Sequence, residues 1–177
     1  MELKECVQTR RSIRKFKQES VPQETIDQMV EMAIYAPSWK NSQAPRYYAV
    51  TDPDVIQKVL EQVPDFNQKI IRSAPVLMAS TVLRKRSGYN REGEFDTPKG
   101  KGWQMYDCGL SNMIFCLAAT ERGLGTVIMG VYDEEGITKA LDLPEQEEIV
   151  ALIALGYPDE QPVMPRRKEL GVILKTL

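Results

Sequence analysis

Apolar residues recur at helical spacing in several stretches of this chain of 177 residues. The clearest pattern runs from Trp103 to Ala118, where apolar residues follow each other at steps of three and four and predict a long central helix. A second amphipathic helix is predicted from Ile26 to Ile34, and Pro37 ends it because the residue before a proline avoids helical backbone angles. Shorter helices are predicted near the N-terminus around Leu3–Val7, after Pro53, at 67–72 and from Asp133 to about Leu141.

Other stretches have the apolar character of strands. Segments 46–51, 75–82 and 148–155 are predicted as strands, and 123–132 as a tight turn that leads into an apolar segment. Strands interleaved with amphipathic helices indicate layered α+β or α/β architecture. No internal repeat and no linker divides the chain, so residues 1–177 are predicted to form one domain.

Two stretches lack this periodicity. Residues 83–102 are charged and rich in glycine, and loops of that length usually form lids over functional sites or are disordered. We therefore expect 83–102 to be a variable, lid-like loop. The tail, 158–177, contains prolines and ends in an apolar patch, Val172-Ile173-Leu174, with few partners in its own sequence neighbourhood. We expect this tail to pack on another subunit.

The charge balance excludes a general attraction to polyanions. The chain has 23 Lys and Arg against 25 Asp and Glu, a net charge of −2, so we expect neither nucleic acid nor a membrane as a partner. The three cysteines, Cys6, Cys108 and Cys116, are odd in number and widely spaced, which favours reduced thiols. The first residues lack the apolar core of a signal peptide, and we expect a cytoplasmic protein.

Histidine is absent from the chain, and this absence limits the possible chemistry. It excludes catalysis by Ser-His-Asp or Cys-His groups and every metal site with a histidine ligand. No pair of cysteines has the spacing of a zinc site, so no metal is expected. If the protein is an enzyme, we expect a bound cofactor to supply the chemistry while the chain positions it.

A cluster of arginines near the N-terminus is the first candidate site. In an extended segment Arg10, Ser12 and Arg14 point to one side and Arg11 to the other, so three donors could converge on a phosphate group. The alternative is a solvated basic turn that pairs with nearby Asp and Glu side chains. The spacing alone does not decide between the two.

Two further segments could face a ligand. The loop Pro37–Gln43 carries amide side chains, which suit the edge of a flat heterocycle, and Trp39, which offers a stacking surface. The alternative is a turn whose polar side chains bond their own backbone. A ligand could approach the backbone closely at Gly123, Gly125 and Gly130, because glycine has no side chain. A helix stop followed by a turn explains the presence of the first two glycines equally well.

Taken in order along the chain, these motifs are similar to those of a known family. The motifs are R-R-S-x-R from Arg10, A-P-S-x-x-N-S-Q-x-P from Ala36, G-L-G-T from Gly123, A-L-G-Y-P from Ala154 and R-x-x-L from Arg167. Together they resemble the nitroreductase family of flavin enzymes. The resemblance implies an α+β fold with a mixed, largely antiparallel central sheet flanked by helices, in an intertwined homodimer.

The resemblance also implies which residues bind FMN. The N-terminal segment and the tail arginine match phosphate and ribityl contacts, the loop 37–43 matches a segment that the partner subunit places against the flavin, and 128–130 matches the backbone beside the ring. The candidate cofactor-binding residues are Arg10, Arg11, Ser12, Arg14, Pro37, Ser38, Trp39, Asn41, Gln43, Asn67, Ile128, Met129, Gly130 and Arg167.

The implied activity is an FMN-dependent NAD(P)H oxidoreductase. Hydride would pass from NAD(P)H through flavin N5 to a nitroaromatic, quinone or similar acceptor by a ping-pong mechanism, without a catalytic side chain. One alternative is a related flavin enzyme of another specificity, such as a dehalogenase or a dehydrogenase. Others are a non-enzymatic polyanion-binding protein and a thiol enzyme that uses Cys108 or Cys116.

Overall fold

The computed structural model describes all 177 residues. It confirms the helices and strands predicted from the pattern, with bounds that differ by a few residues. The helices are α1 (Leu3–Thr9), α2 (Gln23–Ala33), α3 (Pro53–Leu60), α4 (Asp65–Ser73), α5 (Gly102–Glu121), α6 (Glu134–Ala140) and α7 (Leu170–Ile173), and the strands are β1 (Pro45–Val50), β2 (Val76–Leu83), β3 (Gly125–Met129) and β4 (Glu147–Gly156).

The four strands form one sheet in the order β1-β2-β4-β3, and every neighbouring pair is antiparallel. The central pair, β2 and β4, is the longest, and its register shifts between Ser80 and Thr81. One parallel contact extends the sheet at the β3 edge, where Ser12 forms an isolated bridge with Thr126. The sheet therefore confirms the expected α+β class, with a largely antiparallel arrangement.

One face of the sheet is covered by α2 and α5. Met29 of α2 and Phe115 of α5 are fully buried there and pack against apolar residues of β2 and β4. The ring of Tyr47 on β1 stacks on Phe115 with centroids 5.5 Å apart. Burial of this apolar face holds both helices on the sheet, because removing apolar surface from water is the dominant stabilising contribution to folding.

The opposite face is covered by α3, α4, α6 and the segment after α1. Ile13 and Phe16 of that segment lie in the same apolar cluster as Ile71, Ile137 and Leu152. This cluster holds the N-terminal basic segment against the sheet. The charged residues on either side of Ile13 therefore have a defined position.

Local sequence signals account for the helix starts. The side chain of Asp52 accepts a hydrogen bond from the Asp54 N–H at 2.8 Å, and that of Asp133 accepts one from the Glu135 N–H at 3.2 Å. Both are N-caps, which satisfy backbone donors that a helix leaves free. One detail differs from the predicted pattern: Ile34 lies beyond the last turn of α2 and is 65% exposed, although it continues the apolar periodicity of that helix.

Residues 83–102 contain turns and one short bridge between Tyr89 and Phe95. Gly88 and Gly100 approach each other closely, since a Cβ on Gly88 would lie 2.3 Å from the Gly100 carbonyl oxygen. The tail from Val163 onward, including α7, is exposed throughout. No helix is long and apolar enough to cross a membrane.

Candidate cofactor site

The N-terminal basic segment lies along β3. The Ile13 N–H donates to the Thr126 carbonyl oxygen at 3.0 Å, and Ser12 pairs with Thr126 in the parallel bridge. Gly125 makes this approach possible, because a Cβ there would lie 2.5 Å from the Ile13 side chain. The contact brings residues 10–14 beside the strand that leads to Gly130.

The guanidinium groups of this segment are not engaged by carboxylates, although the backbone N–H of Arg14 donates to Glu160 Oε1 at 2.5 Å. None of the six ion pairs in the structure involves Arg10, Arg11 or Arg14. The Arg11 guanidinium turns back and donates to the carbonyl oxygens of Gln8 and Arg10 at 2.7 and 2.8 Å, whereas the Arg14 guanidinium makes one long contact of 3.3 Å to the Ser12 carbonyl. The guanidinium groups of Arg10 and Arg14 thus keep most of their donors available.

The helix α1, which ends just before Arg10, packs on the C-terminal half of α5, where Cys6 Sγ donates to the Leu117 carbonyl oxygen at 3.2 Å. Burial raises the pKa of the Cys116 thiol, while a hydrogen bond from Thr126 and the positive charge of Arg10 oppose that shift.

At the other end of β3 from the contact with Ile13, the strand forms an open surface. Val127 and Met129 face the core, while Ile128 points outward and is 50% exposed. Gly130 is exposed, and no atom lies within 4 Å of the position that a Cβ would occupy. The buried side chain of Asn67 on α4 donates from Nδ2 to the Val131 carbonyl oxygen at 3.0 Å, which fixes the backbone just after Gly130.

The loop 37–43 adopts a strained backbone. It contains a short 3-10 turn, Trp39–Asn41, and three of its residues that are not glycine have left-handed φ angles: 46° at Lys40, 55° at Asn41 and 47° at Gln43. Such angles are unfavourable for residues with a Cβ and persist where surrounding contacts enforce them. One enforcing contact is internal, because Ser38 Oγ accepts from the Gln43 N–H at 2.9 Å.

Trp39 lies at the centre of contacts between this loop and the residues around the start of α5. Its ring lies 4.7 Å from that of Trp103, centroid to centroid, and the Lys40 ammonium lies 5.5 Å from the Trp39 centroid and pairs with Asp96. The Trp39 Nε1 atom is buried without a hydrogen-bond partner in the chain. The loop is therefore packed against residues 84–101 rather than isolated in solvent.

An open cleft of about 570 Å³ lies beside the loop, between α2, β1 and the middle of α5. Arg46 lines it and donates to the carbonyl oxygens of Gln43 and Pro45 at 2.7 and 2.8 Å. Tyr47 also lines it; burial raises the pKa of its hydroxyl, and the hydrogen bond to Ser111 opposes that shift.

Asp107 on α5 is a residue of this region that sequence reasoning missed. It is 1% exposed and accepts hydrogen bonds from the Trp39 N–H and from two serine hydroxyls. A signal was present in the sequence, since Gln104, Asp107 and Ser111 follow each other at helical steps on the buried side of α5.

Within one chain the two parts of the candidate site lie apart. The loop 37–43 contacts α5 at Asp107, whereas α1, which leads into the arginine segment, contacts α5 at Leu117, about 15 Å further along the axis at 1.5 Å per residue. They also lie at opposite edges of the sheet, next to β1 and β3. Arg167 is exposed, donates only to the Pro165 carbonyl and borders a groove lined by tail residues alone.

Antiparallel strands between two helical layers, with free guanidinium groups on a segment that pairs with the edge strand β3, define an α+β protein with a candidate anion-binding site. A family model described as the nitroreductase family matches residues 7–82 and 57–157. The chain therefore belongs to the nitroreductase family, as the motifs indicated.

Individual proteins show the same relationship. A protein of Methanothermobacter thermautotrophicus, whose name pairs NADH dehydrogenase with NAD(P)H nitroreductase, is 30% identical over 166 residues, which is 92% of this chain and 80% of that protein. Human iodotyrosine deiodinase 1 is 25% identical over 203 residues, covering 99% of this chain and 68% of the deiodinase. A structure from Exiguobacterium sibiricum solved in complex with FMN has a TM-score of 0.88 at 21% identity, covering 100% of this chain and 98% of that one, and supports the fold.

Proposed function

We propose that this protein is an FMN-dependent NAD(P)H oxidoreductase that acts as a homodimer on a nitroaromatic, quinone or similar acceptor. The observation that carries the proposal is the pairing of the arginine segment with β3 at Thr126, on the same strand whose open end at Gly130 lies about 13 Å further along at 3.3 Å per residue. The named activities of its relatives and the FMN in a structure of the same fold agree with this choice.

The donor set suits the phosphate end of FMN. Arg10, Ser12 and Arg14 offer guanidinium and hydroxyl donors to a phosphate group, and charge-assisted hydrogen bonds of this kind are the strong ones. Arg11 would act indirectly, by holding the end of α1 through its two backbone contacts. Arg167 would join the same phosphate group from the tail.

The end of β3 suits the ring. Ile128 offers an apolar surface, and Gly130 leaves its backbone N–H open to a planar ligand because no side chain covers it. Asn67 would keep this backbone in place through Val131. When bound, FMN supplies hydride transfer between NAD(P)H and the acceptor, so the chain needs no acid, base or nucleophile of its own.

The state of the cysteines agrees with a reaction in which the cofactor, and not a side chain, supplies the chemistry. Cys6, Cys108 and Cys116 are all free and buried. Burial, with the negative charges of Asp107 and Glu148, raises the pKa of Cys108 to about 12, so its reactive thiolate form is scarce at neutral pH. A thiol-based mechanism at Cys108 is therefore disfavoured.

A second copy of the chain would complete the site. Because the loop 37–43 and the arginine segment lie at opposite sheet edges, a flavin bound at Gly130 would meet that loop only on another subunit. Exposed apolar side chains on α5 and in the tail offer surface for such an association. They are Met105, Tyr106, Met113, Leu170, Val172, Ile173 and Leu174.

Flavin content and anaerobic reduction test the proposal. We expect purified protein to be yellow, or to take up one FMN per chain, and to bleach when NADH or NADPH is added without oxygen. Adding a nitroaromatic or a quinone should restore the colour, with parallel double-reciprocal plots in steady state. A colourless protein that ignores added FMN would contradict the proposal.

Reductive dehalogenation is the second candidate. It is favoured by the similarity to iodotyrosine deiodinase 1 over nearly the whole of this chain. Both candidates share the flavin and differ in the acceptor. Turnover of a halogenated tyrosine, with halide release measured beside a nitroaromatic and a quinone, would distinguish them.

A further inference from the structure

We propose that Asp107 is a positioning residue for the reaction: its buried carboxylate fixes the loop 37–43 and ties it to residues 84–101, here called the lid segment. The inference rests on the proposed function, because the loop is expected to contact the flavin. Asp107 itself would touch neither the cofactor nor the substrate.

The Asp107 carboxylate accepts hydrogen bonds from both the loop 37–43 and the lid segment. The Trp39 N–H donates to Oδ2 at 3.0 Å and to Oδ1 at 3.2 Å, and Ser42 Oγ lies 3.4 Å from Oδ2. From the lid segment, Ser87 Oγ donates to Oδ2 at 2.5 Å, and its side chain is completely buried. A buried carboxylate is costly unless it is hydrogen-bonded, so both segments must stay in place to keep it satisfied.

The carboxylate also explains how the loop keeps its unfavourable backbone. Lys40, Asn41 and Gln43 all hold left-handed angles, which are unfavourable for residues with a Cβ and most so for Lys40 and Gln43. The hydrogen bonds at Trp39 and Ser42 fasten the loop on both sides of the two central residues. Asp107 therefore opposes relaxation of the segment that presents Asn41 and Gln43.

Other contacts show that the loop and the lid segment form one wall. Ser42 Oγ and Ser87 Oγ lie 2.7 Å apart, and Lys40 pairs with Asp96. The backbone N–H of Lys85 donates to the buried Gln104 side chain at 2.8 Å, one helical turn before Asp107 on α5. Movement of the lid segment would therefore disturb Asp107 and, through it, the loop.

Asp107→Asn is the informative variant, because the amide keeps the shape but replaces one acceptor oxygen by a donor. Glu147→Gln is the matched control: it makes the same change at a buried carboxylate that accepts from Thr81 Oγ1 at 2.5 Å and touches neither the loop nor the ring contacts. Its contact with the lid segment is made by the backbone carbonyl, which accepts from Arg84 Nε at 2.9 Å and which the substitution leaves in place. A double variant, Ser42→Ala with Ser87→Ala, removes two donors and serves if Asp107→Asn does not fold.

Two measurements read the effect. The first is FMN affinity with the visible circular dichroism of the bound flavin, which reports the surroundings of the ring. The second is trypsin cleavage of the FMN-free protein at Lys85, Arg86 and Arg91, which reports the lid segment without any cofactor. We expect Asp107→Asn to weaken FMN binding roughly tenfold, to change the dichroism and to speed cleavage about fivefold.

The controls separate the possible outcomes. Glu147→Gln should lower the melting temperature yet keep the dichroism, the affinity and the cleavage rate of the wild type. If Asp107→Asn, or the double serine variant in its place, behaves like Glu147→Gln in FMN affinity, dichroism and cleavage rate, the inference is wrong. If the wild type binds no FMN, the proposed function fails, and the cleavage rates still decide whether Asp107 ties down the lid segment.

Discussion

The backbone N–H of Ile13 donates to the Thr126 carbonyl oxygen at 3.0 Å, and this bond fixes the N-terminal basic segment to the edge of the sheet. Because Ile13 is buried, Ser12 and Arg14 on either side of it are held in a set orientation. The candidate phosphate site therefore depends on a backbone contact between the two segments as well as on charge.

Removing the arginines should weaken cofactor binding. We expect Arg10→Ala and Arg14→Ala each to weaken FMN binding by about 1.5–3 kcal/mol, the range of a hydrogen bond to a charged group. Quenching of flavin fluorescence on titration measures the change. Lys17→Ala, in the same basic stretch but beyond Phe16, should alter affinity little. Unchanged affinity in both arginine variants would remove the phosphate assignment.

The close approach at Gly125 offers a test that leaves every charge in place. In Gly125→Ala the new Cβ would lie 2.5 Å from Ile13 Cγ1 and 2.8 Å from its Cβ, so the basic segment must shift away from β3. We expect a loss of about 1–3 kcal/mol in unfolding free energy, the usual cost of overpacking, and weaker FMN binding. Urea unfolding and the same fluorescence titration measure both.

Gly102→Ala is the control for this variant. Gly102 begins α5, and the nearest atom to its Cβ position lies 4.0 Å away, so alanine should fit and slightly favour the helix. Wild-type stability together with wild-type FMN affinity in Gly125→Ala would show that the contact with Ile13 does not position the arginines.

The tail should control association. Ile173→Asp with Leu174→Asp puts charges on side chains that are exposed in a single chain, so the fold should survive. We expect sedimentation to change from a dimer to a monomer and FMN binding to be lost with it, because the loop 37–43 would no longer reach a second subunit. Lys175→Asp, which adds charge without removing apolar surface, should remain dimeric. A dimer in the double variant would contradict the role given to the tail.

Features set by local chemistry could be predicted from the sequence. The helices predicted after Pro53 and from Asp133 begin there, with Asp52 and Asp133 as their N-caps, and the apolar steps of α5 predicted its length within a few residues. Periodicity was less informative at Ile34, because the pattern continues past the point where α2 leaves the sheet. That side chain lines the open cleft instead of the core.

Features set by distant contacts could not be predicted in this way. The strand order β1-β2-β4-β3 depends on pairing between segments that no local pattern connects. The partners of Asp107 could not be identified from its own helix, because the donors Trp39 and Ser87 come from two other segments. The arginine cluster was recognisable from composition, whereas its contact with β3 at Thr126 required the structure.

Alkaline pH should destabilise the protein through Cys108. Burial raises the pKa of this thiol from 9.0 to about 12, so the folded protein holds the proton more tightly than the unfolded chain does. The resulting stability is complete below about pH 9 and is lost as the pH rises toward 12, at up to about 1.4 kcal/mol per pH unit. Cys108→Ala should lower the free energy of unfolding by a constant amount between pH 6 and 8. Above pH 9 the unfolding free energies of the variant and the wild type should converge, because only the wild type loses this contribution. Urea unfolding at intervals from pH 6 to 11 measures this; a constant difference between the two proteins over the whole range would show that the buried thiol does not contribute in this way.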